Sequence, residues 1–202
     1  MSSVPAVVLG ATGYVGGELL RLIAAHPHFD LAAAVSESKA GAPIRDTFPH
    51  LAAACGDSLF AGHGQWLEEV PADSPLALFS AAPHGASAAM IANVLEQAKA
   101  HSLVVHAVDV SADFRYRDAA AYEGVYGGGH GAPQLLGDFV CAVPEHLAGT
   151  DTQHVAHPGC FATAILLAAV PLLQSGLVAP ELFVTGITGS TGSGRTPQAG
   201  TH

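Results

Sequence analysis

The stretch His157-Pro158-Gly159-Cys160-Phe161-Ala162-Thr163 sets a cysteine between a Pro-Gly turn and a long apolar run, so Cys160 is expected at or next to a helix N-terminus. Unpaired amides and the positive end of the helix dipole favour a thiolate there, and the same amides can hold an oxyanion formed by attack on a carbonyl. A second stretch, "GATGYVGGE", places Gly10, Gly13 and Gly16 in a GxxGxxG spacing between an apolar run and a helical pattern, the setting of a phosphate-binding turn. Thr12, Tyr14 and Val15 complete that loop. A thiolate beside a nicotinamide has a defined chemistry: attack on an activated acyl group, then hydride transfer at the thioester.

Several other residues fall where such chemistry needs polar groups. Ser36, Ser38 and Lys39 follow the second predicted strand and suit a 2'-phosphate, so the loop leans to NADP, with Glu37 as the contrary signal. Pro83, His84 and Gly85 follow another predicted strand on the cofactor side. Arg115 in "SADFR" and Arg195 in "GSGR" can each grip a carboxylate or phosphate with two parallel N–H donors. Asp109 and Asp113 suit the capping and orienting of that loop, and Cys55 and Cys141 read as small hydrophobes.

Those loops need a scaffold, and the pattern supplies one. Ala6–Leu9, Leu31–Val35, Leu76–Phe79 and Leu103–Val110 read as buried strands, with helices from Val15 to Ala25 and from about Ala86 to Ala100 between them. This alternation predicts an α/β fold with a Rossmann-like, doubly wound parallel sheet, its ligand loops at 10–16, 36–41, 80–85 and 111–115 sharing the carboxyl rim. The glycine-rich segment 122–140 reads as an irregular connection. Residues 1–150 are taken as the nucleotide-binding domain and 151–202 as the incomplete start of a second domain, which the resemblance given below implies to be an α+β catalytic and dimerisation domain, with a helix over Cys160–Gln174, its Phe161–Leu173 stripe in the core, and a strand over Leu182–Ile187.

Composition agrees with a globular chain of 202 residues, half of them hydrophobic. A formal net charge of −10 disfavours nucleic acid and anionic membranes. Three cysteines without CxxC spacing and twelve scattered histidines predict neither a disulfide framework nor a metal site. The N-terminus lacks the basic start of a signal peptide, and the longest apolar stretch falls short of the roughly 20 residues that span a membrane, so a cytoplasmic location is expected.

The ordered blocks "GATGYVGGELLRLIAAHP", "FPHL", "SAAPHGAS", "VDVSADFR", "VPEH", "HPGCFATAILLAAVPLL" and "TGSTGSGRTP" resemble the N-acetyl-gamma-glutamyl-phosphate reductases, within the wider aspartate-semialdehyde dehydrogenase group. The resemblance implies NADPH-dependent reduction of N-acetyl-gamma-glutamyl phosphate to the semialdehyde in arginine biosynthesis, with Cys160 as nucleophile and homo-oligomeric assembly. It also implies an acid/base histidine downstream of "GSTGSGRTP", whereas this chain stops at Thr201-His202. His157 stands where that motif usually has asparagine, and Phe161-Ala162 where it has Tyr-Pro. His157 and His202 are the candidate substitutes for the base. Competing readings are an aspartate-semialdehyde dehydrogenase-type reductase, a catalytically silent NADP-binding fragment, and a cysteine hydrolase using Cys160 with His157.

Overall fold

The computed structural model describes residues 3–64, 66–147 and 152–195. The chain begins as a βαβ unit: β1 (Val4–Leu9), α1 (Tyr14–Ala24) and β2 (Phe29–Val35). Two one-turn helices, α2 (Ile44–Thr47) and α3 (Ala52–Cys55), lead to a two-residue strand β3 (Phe60–Ala61). Then come β4 (Pro75–Ser80), α4 (Ser87–Ala100), β5 (Val104–Asp109), α5 (Ala119–Tyr126), β6 (Phe139–Cys141), β7 (His154–Ala156) and α6 (Cys160–Gln174).

The strands form one seven-stranded sheet in the order β3-β2-β1-β4-β5-β7-β6, and every neighbouring pair is parallel. Its two faces are read directly from alternation along β1. Ala6 and Val8 point to a layer with Leu20 and Ile23 of α1, Ile44, Phe48 and Leu51. Val7 and Leu9 point the other way, toward Ile91, Val94 and Ala98 of α4 with Trp66, Leu67 and Phe114. Helices therefore cover both faces, the doubly wound arrangement that the sequence pattern predicts. Each fully buried Leu, Ile or Val contributes about 1.5–3 kcal/mol relative to exposure.

Three expectations are corrected. The 122–140 segment is more ordered than predicted: it contains the end of α5, a 3-10 turn over Pro133–Asp138 and β6. Residues 182–187 form no strand; Phe183 is 97% and Ile187 95% exposed, because no described strand lies beside them to complete a ladder. The stripe on α6 is likewise outside the core. Helix α6 runs over the predicted Cys160–Gln174, yet none of its residues is buried. The 182–187 segment lies along it, close enough that a Cβ on Gly186 would clash with the Phe161 ring. Its apolar sides lack a covering layer among the described residues.

Candidate active site

Because all strands run the same way, their carboxyl ends share one rim, and each delivers a loop there. The first is the glycine loop after β1. Gly10 has φ +67°, and a Cβ there would lie 2.7 Å from the backbone of Ala81 and Ala82, so only glycine permits this turn. Gly16, in the first turn of α1, touches the Ala11 backbone in the same way, at 2.6 Å for a Cβ. Gly13, the N-cap of α1, is different: a Cβ there would meet nothing nearer than the Gly10 carbonyl oxygen at 3.8 Å. Helix α1 has no side-chain cap and no acidic residue in its first turn. Its leading residues Tyr14 and Val15 are exposed beside Gly13, so the first turn of α1 offers amides at an open backbone surface, which fits a dinucleotide pyrophosphate. Ala11 N–H donates to the Val35 carbonyl, and Ala81 N–H to the Leu9 carbonyl, locking this loop to those after β2 and β4.

After β2, Ser36 is buried and its hydroxyl lies 3.4 Å from that of Ser38, with Lys39 exposed in the same turn. Glu37, the contrary signal for a 2'-phosphate, is taken up elsewhere: its carboxylate accepts the His63 amide at 2.5 Å and lies 3.8 Å from the His63 ring. Pro83 and His84 are exposed on the loop after β4.

The loops after β4 and β5 are stitched together by two aspartates. Asp113 accepts from the amides of Gly85 (2.7 Å) and Ala88 (2.9 Å), capping α4, and from the Tyr122 hydroxyl (3.1 Å). Burial, reinforced by Asp113, pushes the Tyr122 phenol up to about 12. Asp109, fully buried at the end of β5, accepts from the hydroxyls of Ser87 (2.7 Å) and Ser111 (2.8 Å), while burial raises its carboxyl above the usual range. The Ser80 and Ser87 hydroxyls meet at 2.6 Å, His84 Nδ1 accepts the Ala112 amide at 2.8 Å, and His130 Nε2 donates to the Asp113 carbonyl at 2.7 Å. Sequence reasoning named the two aspartates and missed Ser80, Ser87, Ser111, Tyr122 and His130. For Ser80 and Ser111 a signal was available as Ser and Asp recurring at the ends of adjacent strands, whereas Ser87, Tyr122 and His130 carry no such signal.

Cys160 arrives on the same rim. β7 inserts between β5 and β6, and its chain continues as His157-Pro158-Gly159 into α6, where Cys160 is the first helical residue and is exposed. Gly159, the N-cap, has φ +100°. The His157 amide donates to the Asp109 carbonyl at 2.8 Å, and Arg115 Nε donates to the His157 carbonyl at 3.0 Å. The Arg115 guanidinium lies so close to Gly159 that a Cβ there would meet it at 3.1–3.3 Å. Arg115 thus stands beside the Cys160 turn, and among the described residues neither of its Nη groups has a hydrogen-bond partner.

Arg195 is elsewhere. Its guanidinium contacts the carbonyls of Thr12 (3.1 Å) and Thr47 (3.4 Å) and lies over the rings of Tyr14 and Phe48 at 5.4 and 5.0 Å. The structure therefore brings Arg115, and not Arg195, to the Cys160 turn, and sets Arg195 on the glycine loop. His202 lies outside the described residues. His157 is beside Cys160 but is not aimed at it: Nδ1 accepts the Gly159 amide at 3.2 Å and Nε2 lies 3.3 Å from the Thr163 hydroxyl. Cys55 is buried as a small hydrophobe would be, whereas Cys141 is exposed at the sheet edge; desolvation raises the thiol of each. Among the described residues there is no cluster of potential metal ligands and no helix long and apolar enough to cross a membrane. A cavity of about 780 Å³ lies toward the amino ends of β5 and β7, beside Lys99, Val104 and His154, and is separate from this rim.

Residues 5–150 match the NAD binding domain of semialdehyde dehydrogenase, and residues 160–202 match the semialdehyde dehydrogenase dimerisation domain. The N-acetyl-gamma-glutamyl-phosphate reductase of Acidothermus cellulolyticus is 42% identical over 93% of this chain and 51% of its own length. That of Saccharophagus degradans is 35% identical over 93% of this chain and 52% of its own. The chain thus spans about half the length of these relatives. A solved aspartate semialdehyde dehydrogenase with NADP from Candida albicans aligns at 20% identity and a TM-score of 0.49, over 86% of this chain and 48% of that one. With the semialdehyde dehydrogenase NAD binding domain matched over residues 5–150, well over half of its length, this chain belongs to the semialdehyde dehydrogenase family.

Proposed function

We propose that this chain carries the dinucleotide loop and the nucleophile of an NADP-dependent acyl-phosphate reductase, converting N-acetyl-gamma-glutamyl phosphate to the semialdehyde with release of phosphate, a step of arginine biosynthesis. The observation that carries this reading is the shared rim: the Cys160 turn is hydrogen-bonded to the end of β5, whose loop is stitched to the loop that packs on Gly10. Residues 1–150 serve the nucleotide and 151–202 open the catalytic and dimerisation part, which fits homo-oligomeric assembly. The similarity of the relatives named above points to the acyl group.

Gly10, Thr12, Gly13, Tyr14, Val15 and Gly16 hold the pyrophosphate through backbone amides and the α1 dipole. Ser36, Ser38 and Lys39 hold the 2'-phosphate, a reading favoured by the engagement of Glu37 with His63. Pro83 flanks the nicotinamide, and the bound cofactor supplies the hydride. Arg115 fixes the acyl phosphate by its two free nitrogens, and Arg195 serves the glycine loop.

The Cys160 thiolate then attacks the acyl carbon, the carbon–oxygen bond to phosphate breaks, and a thioester remains. The leading amides of α6 stabilise the oxyanion of that step. Hydride added to the thioester carbon gives a thiohemiacetal oxyanion, which collapses to aldehyde and regenerates the thiolate. Phosphate leaves in preference to the thiolate because it is the weaker base and better stabilises the electron pair of the broken bond.

The test is intact-mass analysis of the chain mixed with N-acetyl-gamma-glutamyl phosphate, beside a titration with NADPH. An acyl adduct confined to Cys160 and lost in Cys160→Ser is expected. An adduct formed with aspartyl phosphate instead establishes the aspartate-semialdehyde dehydrogenase-type reading, and NADPH binding without any adduct establishes the silent fragment.

A further inference from the structure

We propose that His157 is a positioning residue: its uncharged ring clasps the turn that presents Cys160, so one imidazole proton sets the geometry of the nucleophile. The inference rests on the reading of Cys160 as nucleophile, and it is carried by four contacts around one residue. The backbone of His157 is pinned at both ends, its N–H by the Asp109 carbonyl at 2.8 Å and its carbonyl by Arg115 Nε at 3.0 Å. The ring is pinned as well. Nδ1 accepts from the Gly159 amide at 3.2 Å, closing a loop over Pro158, and Nε2 reaches the Thr163 hydroxyl at 3.3 Å, one turn into α6.

Those contacts define the protonation state. An Nδ1 that accepts must be bare, so the neutral ring keeps its proton on Nε2, where it donates to Thr163 Oγ1. An imidazolium has a proton on both nitrogens and would set an N–H against the Gly159 N–H. The Gly159 amide then loses its partner at a residue already held at φ +100°. Nδ1 here does what a side-chain amide oxygen does when it bonds the amide two residues on, but with an acceptor that titrates.

The surroundings favour the neutral ring. Arg115, from the loop after β5, is the cation facing it. The Asp109 carboxylate, at the end of β5, is turned to Ser87 and Ser111 rather than to His157. Cys160 stands on α6, and the Cys141 thiol on β6 is close enough to Arg115 to feel its charge. Burial first and Arg115 second lower the ring's proton affinity below that of an ordinary histidine.

The test is the rate of Cys160 alkylation by iodoacetamide, resolved by peptide mass and followed from acid to alkaline pH in the wild-type chain, His157→Asn and His157→Ala. Asparagine supplies an acceptor that does not titrate. In the wild type the rate is expected to fall about three- to tenfold further on the acid side than a lone thiol titration allows, the equivalent of one lost hydrogen bond. His157→Asn should follow a single thiol titration, and His157→Ala should be slowed at every pH. The Gly159 amide resonance should shift with the His157 ring in the wild type and stay fixed in His157→Asn. A wild-type profile in His157→Ala, a second inflection kept in His157→Asn, or an acid-side rise in rate overturns the proposal. Should His157→Ala not fold, the asparagine comparison decides alone. Alkylation reads the turn whether or not an acyl phosphate reacts, so failure of the thioester in the mass experiment above remains a separate result.

Discussion

Arg115 donates Nε to the carbonyl of His157 across 3.0 Å and lays its guanidinium against Gly159, tying the loop after β5 to the residue before the thiol. One side chain therefore joins two jobs, holding a turn and offering positive charge beside Cys160.

Arg115→Lys separates them. Lysine keeps the charge but loses the planar fork, so thioester formation with N-acetyl-gamma-glutamyl phosphate should slow by about 30- to 100-fold, in line with 2–3 kcal/mol for a charge-assisted pair. Single-turnover mass spectrometry reads the rate. Equal rates in the two proteins would remove Arg115 from the acyl site.

The glycine loop makes opposite predictions for neighbouring glycines. Gly10→Ala forces a left-handed φ and a backbone clash, so urea unfolding should show a loss of about 2–3 kcal/mol. Gly13→Ala has room for its methyl and should cost under about 1 kcal/mol. Its methyl nevertheless stands where a pyrophosphate approaches, and NADPH affinity should drop at least about tenfold on the same close-approach argument. Calorimetry and unfolding on the same samples check the pair.

Asp113 is a structural test. Asp113→Ala leaves the Gly85 and Ala88 amides without their acceptor and removes the cap of α4, for an expected loss of about 2–3 kcal/mol. Tyr122→Phe removes one bond to the same carboxylate and should cost about 1 kcal/mol. Chemical denaturation of both variants should preserve that order.

Acid should loosen the fold. Burial lowers the proton affinity of both His154 and His157, so between the ordinary histidine value of about 6.5 and their lower folded values the unfolded chain binds more protons. Stability is full above that window and falls as pH drops through it. Asp109, shifted upward, acts with the opposite sign at more acid pH, nearer the carboxylate range. Thermal unfolding between about pH 7.5 and 5.5 should show the midpoint falling, and His157→Asn should lessen the fall.

The sequence was most informative where glycine punctuates an apolar run. Gly10 after Ala6–Leu9, and the spacing of Leu20 and Ile23, define β1 and α1 within one or two residues. Cys160 at the start of α6 was equally legible, since Pro158-Gly159 can only end a turn before a helix begins. β7 was not, because three residues, His154-Val155-Ala156, carry no period and owe their strand to neighbours on both sides. Residues 182–187 show the converse: "LFVTGI" has strand composition, but no described partner gives it a ladder. Arg195 misled for a related reason, since spacing cannot tell that a residue so far along the chain returns to Thr12 and Tyr14.

The strand order also bears on how the molecule assembles. β6 precedes β7 in the chain, yet β7 is its only neighbour in the sheet and separates it from β5. β6 is held to the sheet through His154–Ala156, so this edge of the sheet is laid out of chain order. Cys160 follows that strand by four residues, and its turn hangs from Asp109 and Arg115 on β5 and the loop beyond it. The place of Cys160 therefore depends on pairing between segments far apart in the chain, residues 107–109 with 154–156, and not on its own helix alone.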